Sequence, residues 1–285
     1  MKTNSKIGVI FGRGTLPDQL RDVLKKQNRP AYFIGLEGSA NPKIADSMLK
    51  IGQLGKAISI FKKEKVENIL FIGGLNRPAF NEIKPDITGG LFLLRNAFKI
   101  KGDNSLLTAL MKTFENKGFK SIGIHEIMPN LVVKNTTYTR HKPTQNDLRT
   151  ISYGMDLAKK LGEMDVGQSV VVQGNLCLGL EAIEGTDALI NRCAELARGK
   201  NKPILVKMCK PQQDKRLDMP TIGYDTIREA IKGGYAGIAV ESESVLFLDS
   251  DKAIKLANTH IFFIIGLDFK KQTFYTGEGF VAGVA

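Results

Sequence analysis

The sequence predicts an α/β protein of two domains, an amino-terminal Rossmann-like half on a parallel sheet and a second half of mixed α/β character. Three observations predict it. At 285 residues the chain exceeds the usual size of one hydrophobic core. In the first half, β-rich apolar runs alternate with helical patterns, the order that yields parallel strands joined by crossover helices. Across KNTTYTRHKPTQN, residues 134–146, the apolar patterning fades into polar, β-branched and proline residues that read as a linker. The expected division is therefore a nucleotide-side domain over 1–133, the linker, a catalytic domain over 147–268 and an unassigned tail over 269–285.

The elements follow in order. KIGVIF is a first strand, a helix runs from Pro17 to about Lys26, AYFIGL is a second strand and QLGKAISIFKKE a helix. ENILFIGG is a third strand, and LFLLRNAF continues the alternation. Leu106, Leu107, Leu110, Met111 and Phe114 recur at three-to-four spacing and predict a helix, after which SIGIHEI reads as a fourth strand. Beyond the linker, a helix ends near Leu161 and QSVVVQGNLCLGL reads as a hairpin about Gly174-Asn175. TDALINRCAELARG is a helix with Gly199 as its stop. PILVKM, AGIAV, SVLFL and IFFIIGL supply further strands, whereas the tail shows no clear period.

A formal net charge of +12 favours an anionic partner: a phosphorylated small molecule, nucleic acid or an acidic membrane face. The chain has no Trp and no aromatic-basic interleaving, so nucleic acid is not expected. The three cysteines, Cys177, Cys193 and Cys209, show no paired spacing and read as buried small hydrophobes in a reducing compartment. Neither a signal-peptide segment nor an apolar run near the roughly 20 residues that span a bilayer is present, so a soluble cytoplasmic protein is expected.

Several turns are candidates for ligand binding. In Gly12-Arg13-Gly14-Thr15-Leu16-Pro17, two glycines after a strand let the backbone approach a phosphate, and the helix opening at Pro17 offers amide donors. With Glu37 as a ribose ligand the same turn suits a nucleotide-binding oxidoreductase, although Pro17 stands where the dinucleotide fingerprint has a third glycine; a simple tight turn is the alternative. Asn76 and Arg77 in GGLNRP lie at the carboxyl end of the third strand, where ligands of open α/β sheets bind. In KGDN, Lys101 and Asp103 precede a helix, as ligand contacts or as a cap. His125 is a strand-end histidine, one of three in the chain, too few for a histidine-rich metal site.

The acids are more informative. Glu181, Glu184 and Asp187 fall in EAIEGTD, where Gly185 permits a sharp bend and Thr186 or Asp187 can cap the next helix. Glu181 sits in LGLEAI, a run suited to burial, and a carboxylate there needs a metal ion, an arginine or a shared proton. Gln168 and Glu241 are further polar positions at strand borders. In KPQQDKRLDMPTIG, two prolines restrict a loop in which Lys210, Lys215 and Arg216, with Lys207 just before it, can neutralise phosphate charge. Asp218 can bind a hard cation or position water there, and Thr221 can cap the next helix. A mobile basic surface loop is the alternative.

FGRGTLP, GGLNRP, IKPD, KGDN, GFKSIGIHEI, DVGQSVVV, EAIEGTD, KMCKPQQDKRLDMPTIG and GIAVE, in that order, resemble the LpxI family, the UDP-2,3-diacylglucosamine pyrophosphatases of Gram-negative lipid A synthesis. The resemblance extends to about residue 267. It implies Mg²⁺-dependent hydrolysis of a UDP-linked diacylated glucosamine to UMP and the diacylglucosamine 1-phosphate, with peripheral contact at the inner membrane as a further expectation. By its motifs the family's acids carry over to Asp218, Glu181, Glu184 and Asp187; Asp218, Asp187 and Glu184 are the expected metal ligands. Gly12, Arg13, Gly14, Asn76, Arg77, Lys101, Asp103, His125, Gln168, Lys207, Lys210 and Thr221 are the expected substrate contacts. Arg13 departs from the family's usual glycine in the first turn. Carboxylates without histidine suit hard cations, Mg²⁺ or Mn²⁺.

Overall fold

A computed structural model describes residues 5–74, 85–96, 103–269, 274–275 and 280–281. The chain divides into two compact units. The first comprises Met1–Pro129 together with Asp214–Asp218, the second Asn130–Gln213 and Met219–Ala285.

The first unit carries β1 (Ile7–Phe11), α1 (Leu16–Lys26), β2 (Ala31–Leu36), β3 (Ser47–Leu49), α2 (Leu54–Lys63), β4 (Asn68–Ile72), α3 (Ile87–Asn96), α4 (Asp103–Glu115), β5 (Lys120–Ser121) and the single turn α5 (Ile124–Ile127). The strands form a parallel sheet in the order β3-β2-β1-β4-β5, which is Rossmann order. Both central strands are apolar on both faces, as a sheet covered by helices requires: IGVIF and NILFI are buried at nearly every position. The core mixes aliphatic residues with a phenylalanine cluster, in which Phe114 is edge-on to Phe71 at 5.7 Å and to Phe119 at 5.8 Å.

SIGIHEI is not one strand. Only Lys120–Ser121 pairs with β4, and Ile124–Ile127 turns into a helix carrying His125. Ile122 and Ile124 alternate as in a strand, but Ile127, three residues on, is buried on a helical phase, and the Gly123 amide donates to Glu126 Oε1 at 2.8 Å.

The second unit carries β6 (Thr136–Thr137), α6 (Gln145–Glu163), β7 (Ser169–Gln173), β8 (Leu176–Leu180), α7 (Thr186–Ala194), β9 (Ile204–Lys207), β10 (Thr221–Ile222), α8 (Tyr224–Lys232), β11 (Gly237–Glu241), β12 (Leu246–Phe247), α9 (Ser250–Asn258) and β13 (Phe263–Leu267). Its main sheet runs β6-β13-β11-β9-β7-β8, with β9, β11 and β13 parallel and the other three antiparallel to their neighbours. Alternate residues face opposite cores. Val170, Val172, Ile204, Val206 and Ile265 pack with Leu148, Ile151 and Met155 of α6, while Val171, Leu205, Ile238, Val240 and Ile264 pack with α7, α8 and α9. Thr144 caps α6 reciprocally with Asp147.

Three local expectations are corrected here. The run 134–146 is woven into the second unit: Thr136–Thr137 pairs with β13, and the Ile264 amide donates to Thr139 Oγ1 at 3.0 Å. Its polar side chains satisfy sheet groups, which composition alone read as a linker. Helix α7 stops at Ala194 because the carbonyls of Glu195 and Ala197 turn to the Arg198 guanidinium, leaving Gly199 in the following turn. Cys177 is exposed because β8 is an edge strand, whereas Cys193 and Cys209 are buried. In the tail, Phe274–Tyr275 pairs antiparallel with Phe280–Val281, a two-residue ladder too short to give a period. Among the described residues, no helix is long and apolar enough to cross a membrane.

Candidate active site

In the first unit, the strand order reverses between β1 and β4, and the turns beyond their carboxyl ends are joined by backbone. The Gly12 amide donates to Ile72 O at 3.1 Å, the Arg13 amide to Gly74 O at 2.8 Å, and the Gly74 amide to Arg13 O at 3.0 Å. This approach requires glycine at 73, where φ is +81° and a Cβ would lie 2.7 Å from Arg13 O. The first two amides of the turn are thus occupied, so an anion there meets the helix end from Gly14 onward. Gly14, at φ +112°, has open space where a Cβ would be. The dinucleotide reading gains nothing from this geometry. Asn76, Arg77 and Lys101 lie outside the described residues; Asp103 begins α4, and its side chain is likewise outside them.

The segment Asp214–Asp218 belongs to this unit and is folded onto itself. The Leu217 and Asp218 amides both donate to Asp214 O, at 2.9 and 3.2 Å. The Asp214 carboxylate takes the Arg216 amide at 2.9 Å and its guanidinium at 2.6 Å, and that guanidinium also reaches Glu115 of α4 at 3.2 Å. Hydrogen bonding from Arg216 holds the Asp214 carboxyl below its usual range. Leu217 is 6% exposed within the core of the unit, and Asp218, next to it, is exposed. The loop is therefore a clamped turn rather than a mobile basic one, and Arg216 serves as its fastening. His125 is close to this turn: Gly123, two residues before it, would place a Cβ 3.2 Å from Arg216 Cα. The His125 Nδ1 atom is buried and has no hydrogen-bond partner among the described residues.

In the second unit, polar groups gather at the carboxyl edge of β9, β11 and β13. Lys207, at the end of β9, is 5% exposed and donates to Thr186 Oγ1 at 2.8 Å. That hydroxyl donates to Glu181 Oε1 at 2.8 Å, and the Gln168 amide approaches Glu181 Oε2 at 3.4 Å. Glu181 is also 5% exposed, which answers the need of a carboxylate in an apolar run: its counter-charge is a lysine reached through one hydroxyl. Ser169 is in register with Lys207 and its carbonyl accepts the Glu181 amide at 2.9 Å. Buried Glu241, one residue beyond the Lys207 partner Val240, accepts the Cys209 amide at 3.0 Å. Gln168 Oε1 is buried without a partner among the described residues.

Other expected site residues have local tasks. Glu184 is paired with Arg192 at 2.9 Å and accepts the Ala182 amide at 3.0 Å; backbone donation, its own amide first, and Arg192 lower its pKa. Lys210 pairs with Asp165 at 2.9 Å. Thr221 does not cap α8: it lies in β10, paired with β12, and Gly223 holds the cap position. Pairing with Leu246 takes Thr221 into the strand, so the cap falls two residues later. Asp187 is exposed in the first turn of α7.

Sequence reasoning singled out Glu181 and Lys207 separately and saw Thr186 only as a cap. A lysine closing the apolar run PILVKM raises the same question as Glu181 in LGLEAI, and together they signal a buried pair of opposite charges. Among the described residues, no group of three or more His, Cys, Asp or Glu could hold a metal ion. Magnesium at a phosphoryl-transfer centre commonly uses only one or two carboxylates plus substrate phosphate. Asp218 and Asp187 are both exposed, and Glu184 is paired with Arg192.

Two family profiles cover the chain, the LpxI N-terminal domain over residues 6–131 and the LpxI C-terminal domain over residues 134–265. A relative from Caulobacter vibrioides, described as UDP-2,3-diacylglucosamine pyrophosphatase LpxI, is 33% identical over 274 residues, which is 92% of this chain and 98% of the relative. Among solved structures, N5-carboxyaminoimidazole synthase from Aspergillus clavatus aligns at 12% identity and a TM-score of 0.22, over 70% of this chain and 46% of that one, a likeness too slight to bear on the fold. Two profiles that together match most of the chain, and a relative matched almost end to end, place the chain in the LpxI family.

Proposed function

We propose that this chain hydrolyses the pyrophosphate bond of UDP-2,3-diacylglucosamine, releasing UMP and 2,3-diacylglucosamine 1-phosphate, as a step of lipid A biosynthesis. The observation that carries this reading is the relative of that described activity, matched over 98% of its own length, so that both domains correspond. The site chemistry is compatible. Hydrolysis of a phosphoric anhydride needs a positioned water and positive charge facing the phosphoryl oxygens, and neither a histidine nor a covalent nucleophile is required.

In this reading the nucleotide lies at the carboxyl ends of β1 and β4, with phosphate facing the helix end from Gly14 onward. Lys207, buried and fixed by Thr186, opposes the charge that develops on the phosphoryl group. Asp218, carried on the clamped turn, positions the attacking water or a cation. Asp218 or Asp187 would hold Mg²⁺, which when bound supplies Lewis-acid neutralisation of phosphate charge.

The lipid substrate also suggests peripheral contact with the cytoplasmic face of the inner membrane. Ile87, Leu91 and Leu94 make an exposed apolar stripe on α3, 86%, 50% and 75% exposed, on a chain of net charge +12. Apolar side chains on a basic protein suit an anionic lipid surface. The functional reading is tested by incubating purified protein with UDP-2,3-diacylglucosamine and Mg²⁺ and following UMP. Stoichiometric release of UMP and the sugar 1-phosphate is expected; an intact substrate after prolonged incubation overturns it.

A further inference from the structure

We propose that Thr186 is a positioning residue of the hydrolase: its hydroxyl ties the buried Lys207 ammonium to the Glu181 carboxylate and so holds a fixed positive charge at the carboxyl edge of the second sheet. The proposal rests on the hydrolase reading above and adds to it the residue that sets Lys207 in place.

The polarity of the bridge follows from chemistry. A lysine ammonium only donates, so at the 2.8 Å contact the Thr186 oxygen must accept. The hydroxyl has one proton, and the carboxylate of Glu181, 2.8 Å away, can only accept it. Ser169 Oγ, at 3.5 Å, is a weaker neighbour of the same oxygen. The chain is therefore ammonium to hydroxyl to carboxylate, a directed sequence in which each bond polarises the next. Lysine and glutamate, each 5% exposed, are rarely buried unless such pairing offsets their desolvation.

Local structure fixes the hydroxyl from both sides. Gly185 precedes it at φ +82°, a conformation that favours glycine, and Thr186 opens α7. Ahead of that, the Arg192 guanidinium joins Glu184 to Leu180 O, at 2.9 and 2.7 Å, pinning the turn to the end of β8. Behind Glu181, Gly167 leaves no room for a side chain: a Cβ there would lie 3.2 Å from Glu181 Cβ and closer still to its backbone. The acids of EAIEGTD thus divide their tasks. Glu181 balances the lysine, Glu184 braces the turn, and Thr186 between them makes the bridge.

The test compares Thr186→Val, of nearly the same shape without the hydroxyl, with Thr186→Ser, which keeps it. Expected for Thr186→Val is a kcat for UMP release lower by roughly 10- to 100-fold, less than the loss on removing a charge-stabilising donor outright, with KM within about threefold. Thr186→Ser should recover kcat to within a few-fold. In ¹⁵N-lysine spectra, the Lys207 ammonium signal should keep its wild-type shift in Thr186→Ser and move in Thr186→Val. An unchanged kcat in Thr186→Val, or equal damage in Thr186→Ser, overturns the proposal. Should the valine variant not fold, Thr186→Ala gives the same comparison. If wild type itself releases no UMP, the hydrolase reading fails; the ammonium signal still decides the bridge, and an unmoved signal in Thr186→Val removes it.

Discussion

Leu217→Ala tests whether the clamped turn exists to present Asp218. Leu217 is 6% exposed and belongs to the buried core cluster of the first unit, so truncation removes three buried carbons and leaves a cavity there. Leucine-to-alanine changes in such cores cost about 2–5 kcal/mol. The segment is only Asp214–Asp218 of its unit, and its Arg216 contacts to Asp214 and Glu115 are partly exposed and contribute little. A loss of about 3 kcal/mol lowers the docked-to-undocked ratio on the order of 100-fold. Loop opening should therefore precede global unfolding. The expected result is a kcat reduced at least about tenfold, a melting point lowered only a few degrees, and faster hydrogen exchange at the Leu217 and Asp218 amides, which now bond to Asp214 O. Wild-type kcat together with wild-type exchange at these two amides would refute the anchoring argument.

Other outcomes follow from the same geometry. Asp218→Asn keeps size and removes charge, so it should still fold, bind the UDP-lipid and lose on the order of 100-fold or more in kcat; near-normal turnover counts against Asp218. Excess EDTA should stop UMP release and added Mg²⁺ or Mn²⁺ restore it, whereas full activity in the chelator removes the metal from the proposal. Arg216 depresses the folded-state pKa of Asp214, so its stabilisation is present above the unfolded value near 4 and lost as pH falls through the lower folded one. The melting-point gap between wild type and Asp214→Asn should accordingly be full at pH 7 and close toward pH 2–3; a gap independent of pH refutes the ionic account. Wild type should float with vesicles containing phosphatidylglycerol, and the triple change Ile87→Ser, Leu91→Ser, Leu94→Ser should abolish flotation while UMP release from detergent-dispersed substrate persists.

Much of the fold was legible because its causes are short-range. The alternation of IGVIF, AYFIGL and NILFI with amphipathic helices gave the parallel first sheet, the two-residue loop at Gly174-Asn175 gave the β7–β8 hairpin, and Glu181 in an apolar run announced a partner before any was visible. Periodicity, capping and turn chemistry act over a few residues, and a linear chain displays them. Where apolar spacing fits two periods, as in SIGIHEI, sequence chose the strand, and one capping bond from Gly123 to Glu126 chose the helix. Partners distant in sequence needed the tertiary structure. Thr186 and Lys207, 21 positions apart, meet only because β7 lies antiparallel to β9 in a register that sets Ser169 opposite Lys207. The turn holding Asp218 leaves the unit of its own neighbours because Leu217 is buried in the core built by the first half of the chain. Strand order, register and the burial of one leucine are decided by the whole packed chain, and no local stretch of sequence contains them.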